Sequence, residues 1–210
     1  DAGGILDRFR REAVYRLKVR KKIPHEVPEA VTASSQNQFL IVEVLEEDAP
    51  CSALEEVLAD YRRPVVVDDE ELGELTLDKD YDTFEGEILW RGEQICLSLE
   101  VDAADEDTWT AAVQAMRQMV ADQAAWDRDM RAFAARELTQ LACEWRESAD
   151  EDVPQITEES FARRIDLNSI GMDPDGSFSA YFDDDDMFFG HCVVVYGTLA
   201  DGVASAVMAG

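Results

Sequence analysis

Two apolar periods alternate along the chain. In "LGELTLDKDYDTFEGEILWRGEQICLSLEVD" the sets Leu72/Leu75/Leu77, Phe84/Ile88/Trp90 and Ile95/Leu97/Leu99 are separated by polar residues, and Arg91-Gly92 occupies a turn. This predicts a run of antiparallel strands with one face buried. From residue 105 to 148 the period changes. Trp109, Val113, Met116 and Val120, then Trp126, Met130, Phe133, Leu138, Leu141 and Trp145, keep helical spacing over a length that predicts two helices broken near residues 122–125. The Met and aromatic stripe is read as core, not as a cofactor box.

After a solvated loop, "RESADEDVPQ", Thr157 opens a short capped helix in "TEESFARRI". Four strands near residues 165–170, 177–183, 188–199 and 203–208 close the chain. Asp175-Gly176 and Asp201-Gly202 mark hairpin turns, in which Gly176 and Gly202 serve a structural role.

Upstream, residues 5–22 read as a short helix running into a strand, and "IPHEVPEAVTASSQNQ" as a loop. "FLIVEVL" reads as a buried strand and "APCSALEEVLADY" as a helix with Leu54, Val57 and Leu58 on one face; "PVVV" is a short strand. The expected fold is therefore α+β. A mainly antiparallel sheet carries a long helical pair on one face in residues 68–210, preceded by a small N-terminal α/β module with a basic arm in residues 1–67.

Composition narrows the functional classes. The 210 residues carry 47 acidic and 19 basic side chains, a formal charge of −28. Such a field repels nucleic-acid phosphates and anionic membrane and favours encounter with basic partners. Residues 1–22 run the other way, with eight basic against three acidic side chains. This arm is expected to dock on the acidic body. No stretch reaches the ~18 apolar residues of a membrane helix, and the start "DAGG" points to a trimmed end. Cytoplasmic location is the expectation.

Candidate chemistry concentrates in "DPDGSFSAYFDDDDMFFGHCVVVYG". The consecutive Asp183, Asp184, Asp185 and Asp186 are the candidate metal ligands, with Ca²⁺ or Mg²⁺ the fitting cations because hard ions want converging oxygens. "DPDGS" opens like a calcium loop, but its glycine falls fourth rather than sixth, as a plain turn would have it. His191 and Cys192 are adjacent, so in a regular strand they point to opposite faces and cannot form a nucleophile and base pair. His191 and Gly190 are thus read as structural: a hydrogen-bonded core histidine on a strand, with residues 183–187 as the hairpin loop. That register would set Phe182 against Phe189, Ala180 against His191 and Phe178 against Val193.

The four cysteines, Cys51, Cys96, Cys143 and Cys192, form no CxxC pair and are expected as buried thiols. No phosphate loop, dinucleotide glycine fingerprint, GxSxG elbow or HExxH helix is present.

The "FEGEILW" strand, the helical stretch ending "LACEW", and the acidic turn followed by "FFGH" and a glycine-ended hairpin together resemble the bacterial domain of unknown function family 2262 over residues ~72–210. The family commonly has Phe-Trp before Gly-His, where this chain has Phe188-Phe189. The resemblance implies a bacterial protein and transfers no catalytic residue. Residues 1–67 show no resemblance. The leading expectation is a non-enzymatic acidic protein, of an immunity or regulatory type, that binds a basic protein. The alternatives are a metal-binding protein or metal-dependent enzyme using Asp183, Asp184, Asp185 and Asp186, and a structural accessory domain.

Overall fold

The computed structural model describes residues 9–21, 39–147 and 155–210, and the side chains of all of these except 146–147. The chain divides into two compact units, Asp1–Arg63 and Pro64–Gly210. The "PVVV" stretch expected to close the first module starts the second unit instead, where Val66 and Val67 join its sheet.

In the first unit, strands β1 (Tyr15–Lys21) and β2 (Phe39–Glu47) form an antiparallel ribbon, followed by helix α1 (Ser52–Tyr61). Alternating cations on β1 meet carboxylates on β2: Arg16 lies 2.7 Å from Glu46 and Lys18 lies 3.7 Å from Glu43. Both pairs are exposed and contribute little beyond register. Residues 9–14 are not helical, and the remainder of the expected helix at 5–8 lies outside the described residues, as do the two expected loops at 23–38 and, for the most part, 146–155.

Two expectations for this unit are corrected. "FLIVEVL" is no buried strand: Phe39, Leu40, Ile41, Val42 and Leu45 are 43–57% exposed. Leu54 and Val57 on α1 are also exposed. A two-stranded ribbon and one helix offer too little area to cover an apolar strand on both faces. Among the described residues of this unit only Ala49 is a buried apolar residue.

The second unit is built on one eight-stranded sheet. Strands β3 (Val66–Asp69), β4 (Gly73–Asp78), β5 (Thr83–Trp90) and β6 (Glu93–Glu100) run as an antiparallel meander. Strands β7 (Asp166–Met172), β8 (Ser177–Asp183), β9 (Cys192–Thr198) and β10 (Gly202–Ala209) form a second one. The meanders meet in a single parallel contact, Cys96 opposite Ser169 through Leu99 opposite Met172.

A parallel pair needs a long crossover. Helices α2 (Glu106–Val120), α3 (Gln123–Glu147) and α4 (Glu158–Arg164) supply it, with α2 over β6 and β7, and α3 over β9 and β10 and against α4. The break between α2 and α3 falls at Ala121 and Asp122, close to the expected place.

Local chemistry holds these ends. Arg91 (φ 55°) and Gly92 (φ 96°) take the paired left-handed conformations of a tight hairpin. The Arg91 N–H donates to Gln123 Oε1 at 2.8 Å and Gln123 Nε2 donates to the Leu89 carbonyl at 3.1 Å, which fastens the start of α3 to that hairpin. Thr157 and Ser160 form a reciprocal capping box at α4. The Asp105 carboxylate caps α2 by accepting from the Asp107 N–H at 3.0 Å.

The α+β architecture and the helical pair on one face are as the periodicity predicts. Leu75, Leu77, Phe84, Ile88, Trp90, Ile95, Leu97 and Leu99 are all buried, and so are Ile170, Met172, Phe178, Ala180, Phe182, Val193 and Val195. They pack under Met116, Met119, Met130 and Leu138 of the helices. Each such large side chain contributes roughly 1.5–3 kcal/mol on burial.

One charged group sits at the margin of this core. Asp69 is buried, accepts from the Glu71 and Leu72 N–H groups at 2.9 and 3.0 Å, and receives Arg117 Nε at 3.2 Å. Burial pushes its carboxyl up, but the Arg117 guanidinium and the two backbone N–H groups outweigh that and hold it below its ordinary value. A depressed folded pKa stabilises above the unfolded value, and the stabilisation is lost as pH falls through the folded value. Asp69→Asn should therefore cost about 1–3 kcal/mol at neutral pH. Thermal melts should show the gap to wild type closing as the solution is acidified through the carboxylate range; a gap of constant size would contradict this account.

Candidate functional site

The stretch from Asp183 to Cys192 bridges β8 and β9, whose last pair is Asp183 opposite Cys192. The hairpin loop is longer than expected, and the register differs. Phe182 faces Val193, Ala180 faces Val195 and Phe178 faces Gly197. Residues 187–190 wind into turns rather than continuing the strand, because Met187 and Phe188 plug into the core and are fully buried. The displacement is four residues, an even number, so Phe178, Ala180, Phe182 and Val193 still share the core face.

The four aspartates do not converge. Asp184 turns inward, 5% exposed, and its carboxylate accepts from the Asp186 N–H at 3.2 Å and from the Phe188 N–H. Asp185 turns to Arg164, whose Nε donates to its carboxylate and whose Nη2 donates to its carbonyl at 2.7 Å. Asp183 and Asp186 are exposed. Among the described residues no group of three or more His, Cys, Asp or Glu is arranged to hold a metal ion. The turn at Asp175 and Gly176 is likewise closed by protein alone: Asp175 Oδ1 accepts from the Ser177 N–H at 2.8 Å, and Gly176 has φ 85°.

His191 is neither on a strand nor in the core. It is half-buried at the end of the loop, edge-on to Trp145 with ring centres 5.3 Å apart. Phe188 and Phe189 both lie 5.8 Å from the same indole. Phe189 is 56% exposed and left-handed at φ 57°, followed by Gly190 at φ 89°. Left-handed backbone at a phenylalanine is unfavourable, and here the buried Met187 and Phe188 on one side and strand β9 on the other impose it. Helical spacing had marked Trp145 as core; its contact with this loop has no local signal in the sequence.

A cavity of about 490 Å³ opens beside the β5–β6 hairpin, lined in part by Trp90, Arg91, Glu93, Asp127, Arg131 and Asp166. Trp90 Nε1 donates to Asp127 Oδ1 at 3.2 Å, and Arg131 Nε donates to Asp127 Oδ2 at 3.0 Å. Arg131 Nη1 donates to the Ala162 carbonyl at 3.2 Å and to the Ile165 carbonyl, and the guanidinium lies 5.4 Å from the Phe182 ring centre. Arg131 thereby neutralises the carbonyl end of α4 and ties it to α3. These residues were not anticipated, since an i, i+4 Asp–Arg pair on a helix ordinarily reads as a solvated face.

The helix-free face of the sheet has its own composition. Register places Glu87, Cys96, Ser169, Tyr181, Val194 and Val207 in one row across β5 to β10. A second row runs Thr76, Glu85, Ser98, Gly171, Ser179, Tyr196 and Ser205. The β8–β10 side is aromatic and aliphatic, the middle small, and the β4–β6 side acidic. Leu89, Tyr181, Tyr196 and Val207 are 39–67% exposed. Cys96 is exposed on this face, and Cys51, Cys143 and Cys192 are half-buried, so the expected buried thiols are corrected; all four are free.

Residues 69–208 match the family described as "Uncharacterized protein conserved in bacteria (DUF2262)". The chain belongs to that family. The matched segment contains the whole eight-stranded sheet except the first three residues of β3 and the last of β10. Residues 1–61, where the sequence showed no resemblance, match a second family, "Domain of unknown function (DUF7021)". No curated protein and no solved structure matches the chain. Among the described residues no helix is long and apolar enough to cross a membrane.

Two substitutions test the loop and the clamp. Asp184→Ala removes the acceptor of two loop N–H groups and should cost about 1–3 kcal/mol. Asp184→Asn keeps an oxygen acceptor and should recover part of that loss in denaturant unfolding. Arg131→Met keeps the aliphatic stem but loses three charged hydrogen bonds, with an expected loss of about 2–3 kcal/mol. Equal stability of Arg131→Met and wild type would show that the clamp is dispensable.

Proposed function

We propose that this chain is a non-enzymatic binding protein of the bacterial cytoplasm that captures a basic protein, as an immunity-type inhibitor or a regulator does. The observation that carries this reading is the open face of the eight-stranded sheet. Glu74, Glu85 and Glu87 stand exposed on one side of it, Tyr181 and Tyr196 on the other, with a floor of Ser98, Ser169, Gly171 and Ser179 between.

Charge supports the same reading. The second unit holds nine basic and 35 acidic residues, a net −26 of the whole chain's −28. A field of this strength steers a cationic partner and raises its encounter rate by about 10- to 1000-fold at low salt. Tyrosine is among the side chains enriched at protein interfaces, since it combines ring area with a hydroxyl that can stay hydrogen-bonded.

Affinity capture from bacterial lysate at low and at high salt tests the reading. The expected result is retention of a basic protein at low salt and its release at high salt. The double variant Glu85→Lys/Glu87→Lys should slow association about tenfold or more and flatten its salt dependence. Tyr181→Ala should instead speed dissociation. Capture that ignores both salt and the Glu85/Glu87 reversal would overturn the proposal.

A further inference from the structure

The cavity of about 490 Å³ beside the β5–β6 hairpin holds charged groups that the fold leaves unused. Its place follows from the joint between the two meanders. The parallel pairing of β6 with β7 begins at Cys96 and Ser169, and the cavity lies ahead of it, lined by Glu93 and Ile95 of β6, Asp166 and Leu167 of β7, and Asp127 and Arg131 of α3. Strand ends and a helix form its walls, and such elements hold a site more closely than loops do.

In a unit of net charge −26, arginines are few and are engaged by carboxylates. Arg117, Arg128, Arg131, Arg136, Arg163 and Arg164 each hold one. Arg91, which lines the cavity from the hairpin tip, holds none among the described residues. Arg131 adds to it. A guanidinium carries five N–H donors; Nε is taken by Asp127 and Nη1 by the Ala162 and Ile165 carbonyls, while Nη2 has no acceptor among the described residues. The Glu93 and Asp166 carboxylates, which line the same cavity, have no partner there either.

We propose that this cavity binds a small zwitterion, a dipeptide with free ends, its carboxylate on Arg91 and on Nη2 of Arg131 and its ammonium on Asp166 and Glu93.

Three features select this ligand. The first is charge. A guanidinium fork takes a carboxylate through paired hydrogen bonds, but the field of this unit repels a ligand of net negative charge, so the anionic end must come with a cationic one. Asp127 is already occupied by Trp90 Nε1 and Arg131 Nε, which leaves the cationic end to Asp166 and Glu93. The second is size, since the volume falls within the roughly 300–1,000 Å³ of small-molecule sites. The third is the apolar part of the lining, Trp90, Ile95 and Leu167, against which an aliphatic side chain can pack.

Titration of the isotope-labelled full chain with leucyl-leucine, followed by NMR at the Trp90 indole N–H, tests this. The expected result is a saturable shift, with affinity about tenfold or more lower when either end of the probe is blocked, as leucyl-leucinamide or as N-acetyl-leucyl-leucine. Arg91→Asn should weaken the free dipeptide and leave the amide unchanged. Asp166→Asn should weaken the free dipeptide and leave the acetylated form unchanged. Asn suits the left-handed backbone at Arg91, φ 55°, and neither side chain makes a hydrogen bond or ion pair among the described residues, so both variants should melt as wild type does. Arg128→Gln removes the same charge away from the cavity and should leave affinity as it is. No saturable shift up to millimolar dipeptide, an equal response to free and blocked forms, or an affinity that ignores both Arg91→Asn and Asp166→Asn would overturn the inference. So would tighter binding of the amide than of the free dipeptide, which marks a site for cations alone. Capture of a basic protein on the helix-free face is read separately, and failure of either leaves the other standing.

Discussion

The parallel contact between β6 and β7 requires a connection that leaves one end of the sheet and returns to the other, and α2, α3 and α4 together span it. A crossover of that length must lie on a face of the sheet. Once it does, that face becomes the core, and each strand is obliged to send its apolar set toward it. Phe84, Ile88 and Trp90 on β5 and Phe178, Ala180 and Phe182 on β8 obey the same constraint from opposite meanders. The other face receives no cover within this unit's own helices. That this face, with its glutamates and tyrosines, lies away from the helices is a consequence of the same single joint.

The crossover is held by polar contacts at its ends more than along its length. Gln123 fastens α3 to the β5–β6 hairpin, and Arg131 gathers Asp127, the end of α4 and the Phe182 ring. The loop before β9 closes the same region from the other side, with Met187 and Phe188 entering the core and Arg164 on α4 holding Asp185. Two of the four aspartates of this loop are therefore consumed by the fold, Asp184 as a buried acceptor and Asp185 as an ion-pair partner.

The two units divide the physical burdens of the chain. The second carries nearly all the net charge together with a large core; the first is close to neutral, and among its described residues only Ala49 is a buried apolar residue. An acidic sheet face is suited to a partner of opposite charge.

Periodicity by itself determined the α+β class, the strand and helix segments of residues 66–209, the two hairpin glycines Gly176 and Gly202 and the capped start at Thr157, because each depends on spacing within a few residues. Even the misjudged hairpin kept Phe178, Ala180, Phe182 and Val193 on the core face, since strand parity survives a shift of four, whereas Phe189 and His191 left it for the loop. Tertiary structure alone decided the parallel joining of the two meanders, the inward turn of Asp184, the half-buried placement of His191 against Trp145, and the Asp127–Arg131 clamp. Each of these depends on groups far apart in the chain, and a run of aspartates reads the same whether its carboxylates converge on an ion or cap their own backbone. "FLIVEVL" shows the same limit from the other direction: apolar sequence states what a strand needs to bury, and only the fold shows whether the chain around it can do so.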